Sequence, residues 1–175
     1  MKMCLHSLAT YGSVKGRRRL RWSEIDFGRA VWTVPAARMK AGREHRVPLS
    51  GRAIAILRGL AASKQGEFAF AGQRPNKSLS SKSMELVLRR MNFTDATVHG
   101  FRSSFRDWAG NVSTFPREII ETALSHVVGD QAEQAYRRSD ALEKRRNLME
   151  AWASYCEGTA DNTVVQPKQM EHQSY

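Results

Sequence analysis

The apolar pattern of this chain changes period once, at Ser50, and that change constrains the fold more than any other feature. Before it, "RWSEIDF", "AVWTV" and "HRVPL" are short runs with aromatic and β-branched residues, separated by "GR" and "KAGRE". Runs of that kind predict two or three antiparallel strands. After it, the apolar residues recur at helical spacing. Ser50 is placed to cap a helix over "GRAIAILRGLAAS", with Ile54, Leu57 and Leu60 on one face. "KQGEFAFAGQRPNKS" reads as a connection, and "SKSMELVLRRM" as a helix with apolar residues at 84, 87, 88 and 91. Phe101, Phe105 and Trp108 fall at i, i+4 and i+7, one buried stripe of a helix that Gly110 should end. "FPREIIETALSH" predicts a helix with Pro116 in its first turn, Glu118 and Glu121 early, Ile120, Ala123 and Leu124 buried, and His126 closing it. "DQAEQAYRRS" is a short helix. "ALEKRRNLMEAWASYCEG" is an amphipathic one through Leu142, Met149, Trp152 and Cys156, stopped by Gly158. The expected class is mainly α with a small N-terminal antiparallel β-sheet, an α+β fold.

The chain has 175 residues, enough for one domain with a core and too short for two comfortable ones. Its 28 Lys and Arg against 17 Asp and Glu leave +11, a surplus suited to a polyanionic partner. Cys4 and Cys156 make no CxxC pair, so neither a structural zinc site nor a disulfide framework is suggested. No cofactor or metal spacing is present. No run approaches a membrane span, and the N-terminus lacks the apolar core of a signal peptide, so the cytoplasm is the expected location.

The stretch "TVHGFRSSFRDWAG" places His99 and Arg102 three apart near a helix start, where both side chains reach one target. With the aromatic stripe buried, Arg102 and Arg106 border the core, and an arginine there presents a planar fork of donors to a phosphate. Read alone, the pair is as well a solvated basic face with a stray histidine. Tyr136 stands beside Arg137 and Arg138, whose charge favours its phenolate. Alone, it is a tyrosine over the core edge. Lys40 sits at the expected tip of a β-hairpin; alone, it is a solubilising turn lysine.

The ordered set Lys40, His99-x-x-Arg102, His126 and Tyr136 resembles the catalytic domain of the tyrosine recombinases, the phage-type integrases. The strings "RWSEID", "RMKAGREHRVPLS", "HGFRSSFRDWA", "FPREIIETALSH", "AYRRSD" and "EKRRNLMEAWASYC" resemble the branch of prophage integrases related to satellite phage P4. The resemblance runs from about Trp22 to about Gly158. It implies the DNA breaking-rejoining fold over 22–158 and an atypical start over 1–21; the tail over 159–175 is polar, without periodicity, and is expected to be mobile. It also implies site-specific recombination of double-stranded DNA, without cofactor, by a homo-oligomer assembled on the DNA. Carried over by position, Tyr136 is the nucleophile that forms a 3′-phosphotyrosine. Arg102 clamps the phosphate, and His99 moves the proton of Tyr136. His126 hydrogen-bonds the phosphate, and Lys40 protonates the leaving 5′-oxygen.

The family's first catalytic arginine, in a "T-x-x-R-x-G-E" turn nine residues before the tryptophan of "RW", falls on Ser13. Its glutamate falls on Gly16. The family's upstream DNA-binding domains have no room before residue 22, so a truncated integrase is expected. Its activity would be impaired, or it would be a non-catalytic DNA-binding or interaction remnant.

Overall fold

The computed structural model describes residues 19–39, 42–63, 66–74, 76–93, 96–125 and 141–159. The expected helix over 130–139, the Ser13 turn and the tail beyond 159 lie outside the described residues.

The chain opens with a three-stranded antiparallel meander. β1 (Ile25–Asp26), β2 (Val31–Val34) and β3 (His45–Pro48) pair in sequence order, with Ile25 opposite Trp32 and Trp32 opposite Val47. The period-2 pattern sets the register: Trp32, Val34 and Val47 share the face that enters the core. "RWSEIDF" is less strand than expected. Trp22–Glu24 form a 3₁₀ turn, because the Glu24 carboxylate turns back to accept the Arg21 amide at 3.2 Å. Asp26 Oδ1 accepts the Arg29 amide at 2.8 Å and turns the chain into β2. The segment at 20–22 instead pairs with 67–69, through Trp22 N–H to the Glu67 carbonyl and Ala69 N–H to the Leu20 carbonyl. The connection after the first helix is therefore partly an ordered ribbon. It closes so tightly at Gly72 that a Cβ would stand 2.8 Å from the Ser78 carbonyl oxygen.

α1 (Gly51–Ala62) starts as expected, with Ser50 Oγ accepting the Ala53 amide at 3.3 Å. A second cap comes from 99 residues away: Glu150 Oε1 accepts the Gly51 amide at 2.7 Å. α2 (Ser81–Arg90) is capped by Ser80. α3 (Gly100–Asn111) buries Phe101, Phe105 and Trp108. Gly110 does not end it. The helix passes through to Val112, whose amide donates to the Trp108 carbonyl, and the Ser113 hydroxyl takes the Ala109 carbonyl at 2.6 Å. With those carbonyls satisfied, no left-handed glycine is needed at 110.

α4 (Arg117–Ala123) has Pro116 as its N-cap, one residue before the expected first turn. It buries Ile119 as well as Ile120, because one short helix packs against both α3 and the last helix. Leu124 is buried as expected, while Ala123 is only half-buried. α5 (Leu142–Glu157) ends at Gly158, whose φ of 67° is the left-handed cap expected there. It packs on β3 and α4.

The main core joins the sheet face to α1, α3, α4 and α5. At its centre Phe105, Trp108 and Trp152 meet with ring centroids 5.0 to 6.1 Å apart. A smaller core, Leu88, Val98 and Phe101 with Met84 and Phe93, holds α2. Polar staples fix α5 to the sheet. The buried Arg145 donates to the Arg46 carbonyl at 2.7 Å, and Arg146 reaches the Arg29 and Ala30 carbonyls.

Candidate functional site

Of the five residues expected to carry chemistry, the described backbone includes His99 and Arg102. Lys40, His126 and Tyr136 lie outside the described residues, and the two that remain stand at the start of α3.

Thr97 Oγ1 accepts the Gly100 amide at 2.9 Å and starts α3. His99 occupies the N-cap position, exposed, and its carbonyl accepts the Arg102 amide at 2.9 Å. The first turn of a helix carries a partial positive charge that favours an anion. The aromatic stripe anchors this turn from beneath: Phe101 enters the small core and Phe105 the main one. Arg102, between them in sequence, is half-buried. Its Nη2 donates to the carbonyl of Leu124, the residue that ends α4. That carbonyl is among those a helix leaves without an internal partner, so the contact satisfies one and fixes the guanidinium.

Burial pulls the Arg102 guanidinium below its ordinary value. The Glu121 carboxylate opposes that shift and Arg106 adds to it. An arginine remains charged at neutral pH all the same. Glu121 is also held by Arg106, Oε1 to Nη2 at 3.3 Å. The result is a partly desolvated, pre-oriented cation near a helix N-terminus, with an exposed imidazole one turn back. Such a set can receive a phosphate and exchange a proton beside it. Arg106, also expected at the core edge, is exposed instead.

Open clefts of about 320 Å3 along residues 66–77 and about 230 Å3 between α3 and α4 are lined by neither His99 nor Arg102. Among the described residues no group of three or more His, Cys, Asp or Glu could hold a metal ion.

The sequence pattern assigns nothing to Leu124 as an anchor, to Arg145 or to the Glu24–Arg38 pair. Arg145 carries a usable signal: it stands on the stripe of Leu148, Met149 and Trp152, where a charge needs a buried acceptor. Contacts to backbone carbonyls leave no trace in composition, so Leu124 does not.

Residues 14–143 match the model of the phage integrase family. The chain is 40% identical over 148 residues to the prophage integrase IntA of Escherichia coli K12, covering 83% of this chain and 36% of that protein. It is 33% identical over 167 residues to the integrase of enterobacteria phage P4, covering 85% and 38%. It thus spans little more than a third of the length of these curated relatives. In structure it resembles the integrase from mycobacterium phage Brujita, with a TM-score of 0.58 and 16% identity over 85% of this chain and 49% of that one. That likeness bears out the expected fold, an α+β domain with a small antiparallel sheet and a helical core, consistent with a tyrosine recombinase catalytic domain. The family match covers well over half of the sequence, and this chain belongs to the phage integrase family.

Proposed function

We propose that this chain is a tyrosine recombinase catalytic domain that cuts and rejoins double-stranded DNA. The observation that carries the reading is the first turn of α3. It holds His99 and a half-buried Arg102 whose guanidinium is tied to the end of α4, two residues before His126 in the chain. In the proposed reaction the Tyr136 oxygen attacks a DNA phosphate, and the bond from phosphorus to the 5′-oxygen breaks. The phosphate becomes a 3′-phosphotyrosine, and the 5′-oxygen leaves as a hydroxyl. Arg102 and His126 hold the non-bridging oxygens. His99 takes the tyrosine proton, and Lys40 supplies one to the leaving oxygen. The covalent link conserves the phosphodiester energy, so rejoining is the same step reversed. Phosphoryl transfer needs chiefly positioning and charge, and the α3 turn supplies both.

Ser13, where the family has an arginine, removes part of the charge clamp. Loss of one such donor costs roughly 10²–10³ in rate. Cleavage is therefore slow, and Ser13→Arg raises it. We further place the chain in the P4-like branch, acting in the cytoplasm as a homo-oligomer on DNA. The catalytic unit is residues 22–158, flanked by an atypical start and a tail over 159–175.

The test is a duplex nicked near the scissile phosphate, which traps covalent protein–DNA on a denaturing gel. A faint band that Ser13→Arg strengthens and Tyr136→Phe abolishes is the expected result. A band surviving Tyr136→Phe would remove Tyr136 as nucleophile. Duplex binding with no band, even in Ser13→Arg, would favour a non-catalytic DNA-binding role.

A further inference from the structure

A nearly buried ion pair stands at the root of the β2–β3 arm, and the chemistry above gives it no task. Glu24 Oε2 lies 2.5 Å from Arg38 Nη2, with the two side chains only 9% and 18% exposed. The approach is a charge contact rather than an aligned hydrogen bond. The same carboxylate oxygen accepts the Trp32 indole at 3.1 Å and the Arg21 amide at 3.2 Å. Arg38 Nη1 donates to the Arg19 carbonyl at 2.5 Å. One carboxylate and one guanidinium thus tie together the incoming segment at 19–21, strand β2, and the 3₁₀ turn Ala36–Arg38 that follows it.

Desolvating two charges is costly, and an apolar pair of the same volume often stabilises a fold as well or better. What such a pair gives is a defined geometry, and this one sits where geometry matters. Met39 is the next residue along the arm, its amide bound to the Ala36 carbonyl, and the Gly42 amide returns to the Met39 carbonyl. Lys40 lies between Met39 and Gly42 in sequence.

We propose that Glu24 and Arg38 are positioning residues that hold the root of the β2–β3 arm, so that the arm delivers its lysine to the leaving 5′-oxygen. The proposal rests on the role given above to Lys40. Neither Glu24 nor Arg38 touches substrate; each acts through the arm.

Two measurements on the full chain decide it. The first needs no activity: amide exchange by NMR in Arg38→Met and in the charge-free double variant Glu24→Gln/Arg38→Met. Exchange at Met39 and Gly42 should rise about tenfold or more, while β2 and β3 amides hold their rates. Unchanged rates at Met39 and Gly42, or an equal rise across the sheet, would overturn the proposal.

The second compares cleavage of an ordinary strand with one whose leaving atom is a 5′-bridging sulfur, since a thiolate leaves without a donated proton. Arg38→Met should lose on the order of 10- to 100-fold on the oxygen substrate and recover on the sulfur substrate, as Lys40→Ala should. Recovery in Lys40→Ala but not in Arg38→Met overturns the positioning role and leaves the Lys40 role standing. Recovery in neither removes Lys40 as the acid, and the positioning role with it. If cleavage is too slow to read, amide exchange alone decides between the two outcomes.

Discussion

Helix α3 is shared by two cores built to different standards. Its second half, with Phe105 and Trp108, enters an aromatic centre closed by Trp152 and braced by four elements. Its first turn, with Phe101, rests on a small core of three buried residues that mainly holds α2. The candidate phosphate-binding turn therefore stands at the edge of the main core rather than inside it. Arg102 gains its fixed position from the Leu124 carbonyl, which belongs to the better-packed side. The main core sets where the cation is, and the smaller core carries the turn that precedes it.

Truncation in the two cores should separate them most clearly. Trp152→Ala removes the ring that contacts Phe105, Trp108 and Tyr155, and should cost about 3–5 kcal/mol in urea unfolding. A loss below about 1 kcal/mol would mean that the aromatic centre is not the keystone. Leu88→Ala should cost about 2 kcal/mol, at the low end for such truncations, and the loss should be local. Amide exchange should quicken along α2 and stay unchanged along α5. Equal acceleration in both helices would show one cooperative core.

The helix caps make a finer version of the same contrast. Ser50 is fully buried beside the main core, whereas Ser80 is exposed. Ser50→Ala should lower stability by about 1 kcal/mol, and Ser80→Ala by about 0.5 kcal/mol. The reverse order would contradict the burial argument.

Smallest is the effect of Cys156, at the end of α5. Burial first, and then Glu157, push its thiol up to about 12 from an ordinary 9.0. The folded state therefore keeps its proton where the unfolded chain releases it. This contribution to stability is intact below about pH 9 and declines as pH rises from there towards 12. At pH 8 a disulfide reagent should modify Cys156 slowly in the native protein and quickly in urea. Equal rates would mean that the thiol is not shielded.

Much of this division is legible in the sequence. The change of period at Ser50 foretells the sheet and the helices. The i, i+4, i+7 stripe of Phe101, Phe105 and Trp108 foretells which face of α3 is buried. The same stripe cannot show that its members enter two different cores, because periodicity gives a face and not a neighbour. Gly110 misleads for a related reason: a glycine marks a helix end only where the carbonyls lack other donors, and Ser113 supplies one. At the candidate site, the His99–Arg102 spacing is legible, whereas the tie to Leu124 is not. Nor is the partnership of Glu24 with Arg38, since nothing local says that charges 14 residues apart will meet across a hairpin.

If the first turn of α3 offers Arg102 to a DNA phosphate, as proposed, the salt dependence of duplex binding depends on that side chain. The logarithm of affinity should fall linearly with the logarithm of salt concentration for the unaltered chain. In Arg102→Gln the line should be shallower by about 0.9, the counterion equivalent of one phosphate contact. Two parallel lines, with an unaltered far-ultraviolet circular dichroism spectrum, would mean that Arg102 makes no phosphate contact.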